Sequence, residues 1–142
     1  MKIPPEHEQT IYIFIIHRIL NILHTMKTYT TTHDNITAMY TIGTCDTENT
    51  DIINNSAKTN IWFHIRDQSS CHVIMQIIDN QEKPTKKTMH KLVKQGALYC
   101  KQHTNKCKSI KNIEVIYSFL ENIETTDVAG QVKTYKYKTI IV

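Results

Sequence analysis

The chain has 142 residues, 40% of them hydrophobic and 21% charged, and a formal net charge of +4. That length fits one domain around one modest core and excludes a second. The balance is that of a globular protein and excludes a disordered one. Heavy use of Ile, Asn, Lys and Thr is the bias an AT-rich coding sequence would give, as in a large DNA virus or an AT-rich parasite, and it says nothing about mechanism.

Residues 1–25 differ in character from the rest of the chain. Pro4, Pro5, Glu6 and Glu8 precede the apolar run Ile11-Tyr12-Ile13-Phe14-Ile15-Ile16, which His17 and Arg18 interrupt. The run is far short of the roughly 20 residues of a membrane span, so no integral span is expected. An acidic start without a small-residue cleavage site also argues against a signal peptide. As a helix, the segment gathers His17, Asn21 and His24 on one stripe and surrounds them with Ile and Leu. Two readings stand: an amphipathic helix that lies on a membrane or a partner, or a gene-model artefact with Met26 as the true start. The expected division is an extension over 1–25 and one domain over 26–142.

From Lys27 to Ile42 the pattern is of strands, with Thr31 to Asn35 as the polar turn and Gly43 ending the run. Asp46 or Thr47 is placed to cap a short helical turn holding Ile52 and Ile53. Asn54 to Asn60 then forms a polar loop. Ile61, Phe63 and Ile65 alternate with Trp62, His64 and Arg66, the period of a strand whose two faces have different tasks. Asp67 to Ser70 make the turn into a second apolar run, Val73 to Ile78. This antiparallel hairpin is read as the centre of the fold. Past the loop Asp79 to Lys83, Pro84 suits the opening of a helix. Met89, Leu92, Val93, Gly96, Ala97 and Cys100 recur at spacings of three and four, one buried helical stripe in which Gly96 permits close packing on a sheet. Asn105 to Ser109 breaks the helix. Residues 112–118 read as a strand, 119–131 as a long loop turning at Gly130, and 132–142 as one or two final strands. The expected class is α+β, a mainly antiparallel sheet with one long helix packed on a face.

Charge is the most informative physical fact. Nine lysines lie between Lys83 and Lys111 with no acid among them, so the rest of the chain carries a formal charge of −5. Lys87, Lys91, Lys94 and Lys101 fall along one exposed stripe opposite Met89, Leu92 and Val93, an arrangement suited to a phosphate backbone. An ordinary solvated helix face usually mixes signs. The segment Lys133-Thr134-Tyr135-Lys136-Tyr137-Lys138 interleaves aromatic and basic residues, but as a strand it sends tyrosines and lysines to opposite faces. It reads as an ordinary strand with half-buried tyrosines rather than a binding platform.

Catalysis has little to start from. Adjacent Cys71 and His72 on a strand point to opposite faces and cannot form a nucleophile–base pair. His64 and His72 face each other across the hairpin without a carboxylate pair or a glycine-rich phosphate loop. With Trp62 they read as a polar-aromatic cluster that fixes the hairpin or contributes to a binding face. Cys100, His103 and Cys107 lie close in sequence, and His90 or His72 could complete four zinc ligands, but the spacing is irregular and no metal or other cofactor is expected. Cys45, Cys71, Cys100 and Cys107 have no tight paired spacing, so free thiols in the cytoplasm are expected.

Trp62-Phe63-His64, Arg66 two residues on, and Ser70-Cys71-His72-Val73 together resemble the NFACT-R domain, formerly a domain of unknown function. Gly43, Glu48-Asn49-Thr50-Asp51-Ile52-Ile53, Leu92-Val93-Lys94, Asn112 to Tyr117 and the glycine turn Val128-Ala129-Gly130-Gln131-Val132 extend the resemblance from Met26 to Val142. The similarity is to the standalone form of the coiled-coil-domain-containing-25 type. It implies a non-catalytic module that binds RNA, either tRNA or rRNA, in ribosome quality control with ribosome-associated machinery. The residues expected to bind are Lys87, Lys91, Lys94, Lys101 and Arg66; Trp62, His64, His72 and Gly130 carry the family pattern. The sequence leaves two alternatives: DNA in place of RNA, and a protein-interaction or membrane-peripheral adaptor.

Overall fold

Strands in which alternate residues are apolar on both faces need a cover on each side, and this sheet has one. The computed structural model describes residues 16, 26–78 and 82–142. The expectations for residues 1–25 therefore lie outside the described residues, Ile16 apart. The elements run β1 (Lys27–His33), β2 (Ile36–Gly43), α1 (Asp46–Asn54), β3 (Ile61–Ile65), β4 (His72–Ile77), α2 (Lys86–Gln102), β5 (Glu114–Phe119), a 3-10 turn (Leu120–Asn122), β6 (Ile123–Thr125), β7 (Val132–Thr134) and β8 (Lys138–Ile141). Six strands form one antiparallel sheet in the order β1-β2-β4-β3-β5-β8, and β6 pairs with β7 in a separate ribbon. The class is α+β, with α2 as the long helix packed on the sheet.

The hairpin read from the sequence is the middle of that sheet. Ile61, Trp62 and Phe63 pair with Met75, Ile74 and Val73, and β3 also pairs with β5. Phe63, Ile65, Val73 and Met75 share a core with Leu92, Val93, Ala97 and Cys100 of α2. On the other face, Trp62 and Ile74 pack with Ile52 and Ile53 of α1 and with Leu120 and Ile123.

Three expectations change. The β1–β2 turn is Asp34–Asn35 alone, at φ 49° and 66°, and Thr31 to His33 continue the strand. Asp and Asn tolerate the left-handed conformation that a two-residue hairpin requires, whereas the β-branched threonines before them favour extension. Cys45, rather than Asp46 or Thr47, is the cap residue of α1, and it makes no side-chain cap bond. Glu48 Oε1 instead accepts from Thr44 N and Oγ1 at 3.0 and 3.1 Å. The stretch 119–131 is not one loop, because β6 leaves it to pair with β7 and covers the α1 side of the sheet.

α2 sits unusually close to β3. A Cβ on Gly96 would lie 2.4 Å from Phe63 Cζ, so only glycine allows this approach. Tyr40 adds a fixed point by donating its hydroxyl to the Leu92 carbonyl at 2.7 Å, and burial raises its pKa. Tyr29 stacks on Tyr99 with ring centroids 4.7 Å apart. Thr85 caps the helix by accepting from Thr88 N at 3.2 Å. Gly96→Ala should therefore destabilise by about 1–3 kcal/mol through overpacking, although alanine alone favours a helix by about 1 kcal/mol. Urea unfolding of Gly96→Ala, Phe63→Leu and the double variant should show coupling of at least about 0.5 kcal/mol. Strict additivity would refute the contact as the cause.

Candidate nucleic-acid interface

With 3.6 residues per turn, Lys87, Lys94 and Lys101 form a line on α2 directly opposite Gly96. The helix carries no acidic residue. Lys87 and Lys94 are exposed and make no hydrogen bond or ion pair among the described residues. Lys91 Nζ lies 3.2 Å from Asp34 Oδ2 at the β1–β2 turn. Hydrogen bonds from Thr88 and then Lys91 hold the Asp34 carboxyl below its ordinary pKa. Lys101 donates to the Val142 carbonyl at 3.1 Å. Two of the four expected lysines thus point their charge outward, and the other two also tie α2 to its neighbours. The Lys91–Asp34 pair is exposed and screened by water, so a phosphate can compete for that cation.

Arg66 does not join this line. Its backbone N–H continues the β3–β5 ladder to Glu114, and its guanidinium lies 2.8 Å from Glu114 Oε1 and 3.5 Å from Asp67 Oδ2. The Glu114 hydrogen bond raises its pKa. It follows the parity of Trp62 and His64, on the face turned from α2.

That face holds the residues of the family pattern. Trp62 Nε1–H donates to His72 Nδ1 at 3.0 Å, which leaves the proton of the neutral imidazole on Nε2. The His64 ring meets His72 edge to face at 4.8 Å and stacks on Trp62 at 5.6 Å. His72 is 2% exposed, and burial followed by repulsion from His64 lowers its pKa to about 3. Burial also lowers the His64 pKa. Asn49 of α1, itself buried, accepts from His72 N. Gly130, at φ +79°, donates its N–H to Thr50 Oγ1 at 2.8 Å and leaves no room for a Cβ beside Asp46. These residues fasten α1 and the glycine turn to the sheet.

Cys71 lies in the other core, with its sulfur 3.9 Å from that of Cys100 and within reach of Thr104. His103 packs on Tyr29 instead, so it turns away from Cys100 and Cys107, which are both buried in that core. Among the described residues no group of three or more His, Cys, Asp or Glu could hold a metal ion, and no helix is long and apolar enough to cross a membrane.

The reading by sequence did not place Lys86 or His90 on the expected binding stripe. They sit about 100° round the helix from Lys87 and Lys91, toward β5 and β8, and a helical projection would have separated them from the outer line. It also misplaced Tyr135 and Tyr137. The chain bends there between ribbon and main sheet, held by a hydrogen bond from the Ser118 hydroxyl to the Lys136 carbonyl, and the tyrosines are 68% and 46% exposed.

An α+β domain that turns an acid-free, lysine-bearing helix outward from an antiparallel sheet is built to present cations over a broad face. The chain belongs to the family of the NFACT protein RNA binding domain, which matches residues 26–135. No curated protein matches its sequence. Among solved structures, it resembles the C-terminal part of the fibronectin/fibrinogen-binding protein from Streptococcus suis, with a TM-score of 0.60 and 17% identity over 74% of this chain and 40% of that one. The chain thus spans less than half the length of that neighbour, and the likeness is one of fold.

The buried imidazole makes stability depend on pH. The unfolded chain takes up a proton near the ordinary histidine value of 6.5, whereas folded His72 refuses it until about pH 3. Stability should therefore be full above pH 6.5 and fall as pH drops through that window, by up to about 1.4 kcal/mol per unit. His64 adds in the same sense. His72→Asn keeps an acceptor for the indole but cannot be protonated, so urea unfolding between pH 7 and 4 should show a shallower acid slope. An unchanged slope would remove His72 as its source.

Proposed function

We propose that this protein is a non-catalytic RNA-binding module whose α2 face contacts the phosphate backbone. The observation that carries this is the outward line of Lys87 and Lys94 on a helix without acids, in a chain of an RNA-binding family. Lys101 continues that line and Lys91 flanks it, and each becomes available when a phosphate displaces the Val142 carbonyl or Asp34. Arg66 is assigned to its ion pair with Glu114. The setting implied by the family resemblance is tRNA or rRNA engaged with ribosome-associated machinery, in the cytoplasm. Four free cysteines, three of them buried, support a reducing compartment.

Phosphate contacts release counterions, so affinity for single-stranded RNA should fall with salt at a log–log slope of about −0.7 per contact. Lys87→Gln with Lys94→Gln retains good helix formers and should leave the fold intact. The pair should weaken binding to all sequences alike and flatten the slope by about 0.7 for each phosphate no longer neutralised. Parallel titrations with DNA of the same sequence report the preference between the two. The reading fails if the folded double variant binds RNA with the affinity and slope of the parent.

A further inference from the structure

α2 packs over β1 to β4 and only grazes β5, so the β5–β8 end of the same sheet face stays open. A groove of about 750 Å³ runs there, beside the first turns of the helix. One wall is Lys86, Met89 and His90, and the other is Tyr117, Phe119 and Lys138. Tyr117 and Phe119 are two residues apart on β5 and so face the same side. Lys138 pairs with Tyr117 in register across the β5–β8 ladder. Phe119 is 48% exposed, an aromatic ring with no apolar partner over much of its surface. Tyr117 lies half-buried beside it, stacked on Phe63 at 6.0 Å. Glu121 is the one acid among the lining residues, outnumbered by Lys86, Lys136 and Lys138.

Lysines alone fit any nucleic acid, but exposed aromatic faces flanked by lysines fit bases that are free to stack. A duplex keeps its base faces covered and offers only phosphates to such a surface. We propose that this groove holds an unpaired stretch of RNA, with bases against Tyr117 and Phe119 and phosphates at Lys86 and Lys138. The proposal rests on the RNA-binding reading above and specifies the state of the ligand: unpaired, and continuous with phosphates that run along Lys87 and Lys94. It gives Lys136 and Lys138 a place at the ligand although they are not on the helix. The bend at Tyr135 to Tyr137 delivers them to the groove rather than to a shared strand face.

The test uses the full chain with a labelled single-stranded oligouridine and a blunt RNA duplex of equal length. The parent should bind the single strand more tightly, and ultraviolet cross-linking should attach nucleotides to the tryptic peptide 112–133, which contains Tyr117 and Phe119. Phe119→Ala should weaken the single strand by roughly tenfold and leave the duplex unchanged. Phe119→Leu, which retains apolar bulk, guards against loss of fold and should weaken the single strand likewise. Lys86→Gln with Lys138→Gln should flatten the salt slope by about 0.7 per contact. If the parent binds RNA and Lys87→Gln with Lys94→Gln weakens it, but Phe119→Ala does not, the groove is refuted while the RNA-binding function stands. If the parent binds neither RNA, both are refuted.

Discussion

The approach of the α2 backbone to the Phe63 ring fixes the placement of nearly everything else. Because a Cβ at Gly96 has no room, the helix rests directly on β3 at the middle of the sheet. Leu92, Val93, Ala97 and Cys100 are then forced into the core. The helical period turns Lys87 and Lys94 away from it. Tyr40, bonded to the Leu92 carbonyl, and Tyr99, stacked on Tyr29, set the rotation of the helix about its axis. A helix held further off by a side chain at residue 96 could roll, and the line of cations would roll with it.

The two faces of the sheet divide the labour. On one, Trp62, His72, Asn49 and the Thr50–Gly130 bond secure α1 and the glycine turn. These residues carry the resemblance read from the sequence, yet they are mostly buried and serve the fold. On the other, the cations and the exposed ring of Phe119 on β5 lie around α2. His72 stays neutral because a charge there would be desolvated and unpaired, so the Trp62 hydrogen bond is kept at physiological pH. The residues of the resemblance and the line of cations thus fall to opposite sides of one molecule.

Much of this was legible in the chain. The period-two hairpin, the i, i+3, i+4 stripe of α2 and the close-packing role of Gly96 depend on local spacing, which sequence displays directly. The antiparallel sheet followed from the same signals. What depended on distant partners was hidden. Asp34 lies 57 residues from the Lys91 it binds, and no local pattern joins them. Tyr135 to Tyr137 looked like a strand because β-prone residues ran together, but the chain must cross from ribbon to sheet there, and that requirement overrides propensity. The groove was invisible for the same reason, since α2 and β5 meet only in three dimensions.

RNA lying on the α2 face, as proposed, must cover the lysines there. Lysine acetylation read by mass spectrometry, with and without bound single-stranded RNA, tests it most directly. Lys86, Lys87 and Lys94 should be protected, and Lys133, in the ribbon on the α1 side, should not. Protection of Lys133 with Lys86, Lys87 and Lys94 unchanged would place the RNA on the other face and contradict it.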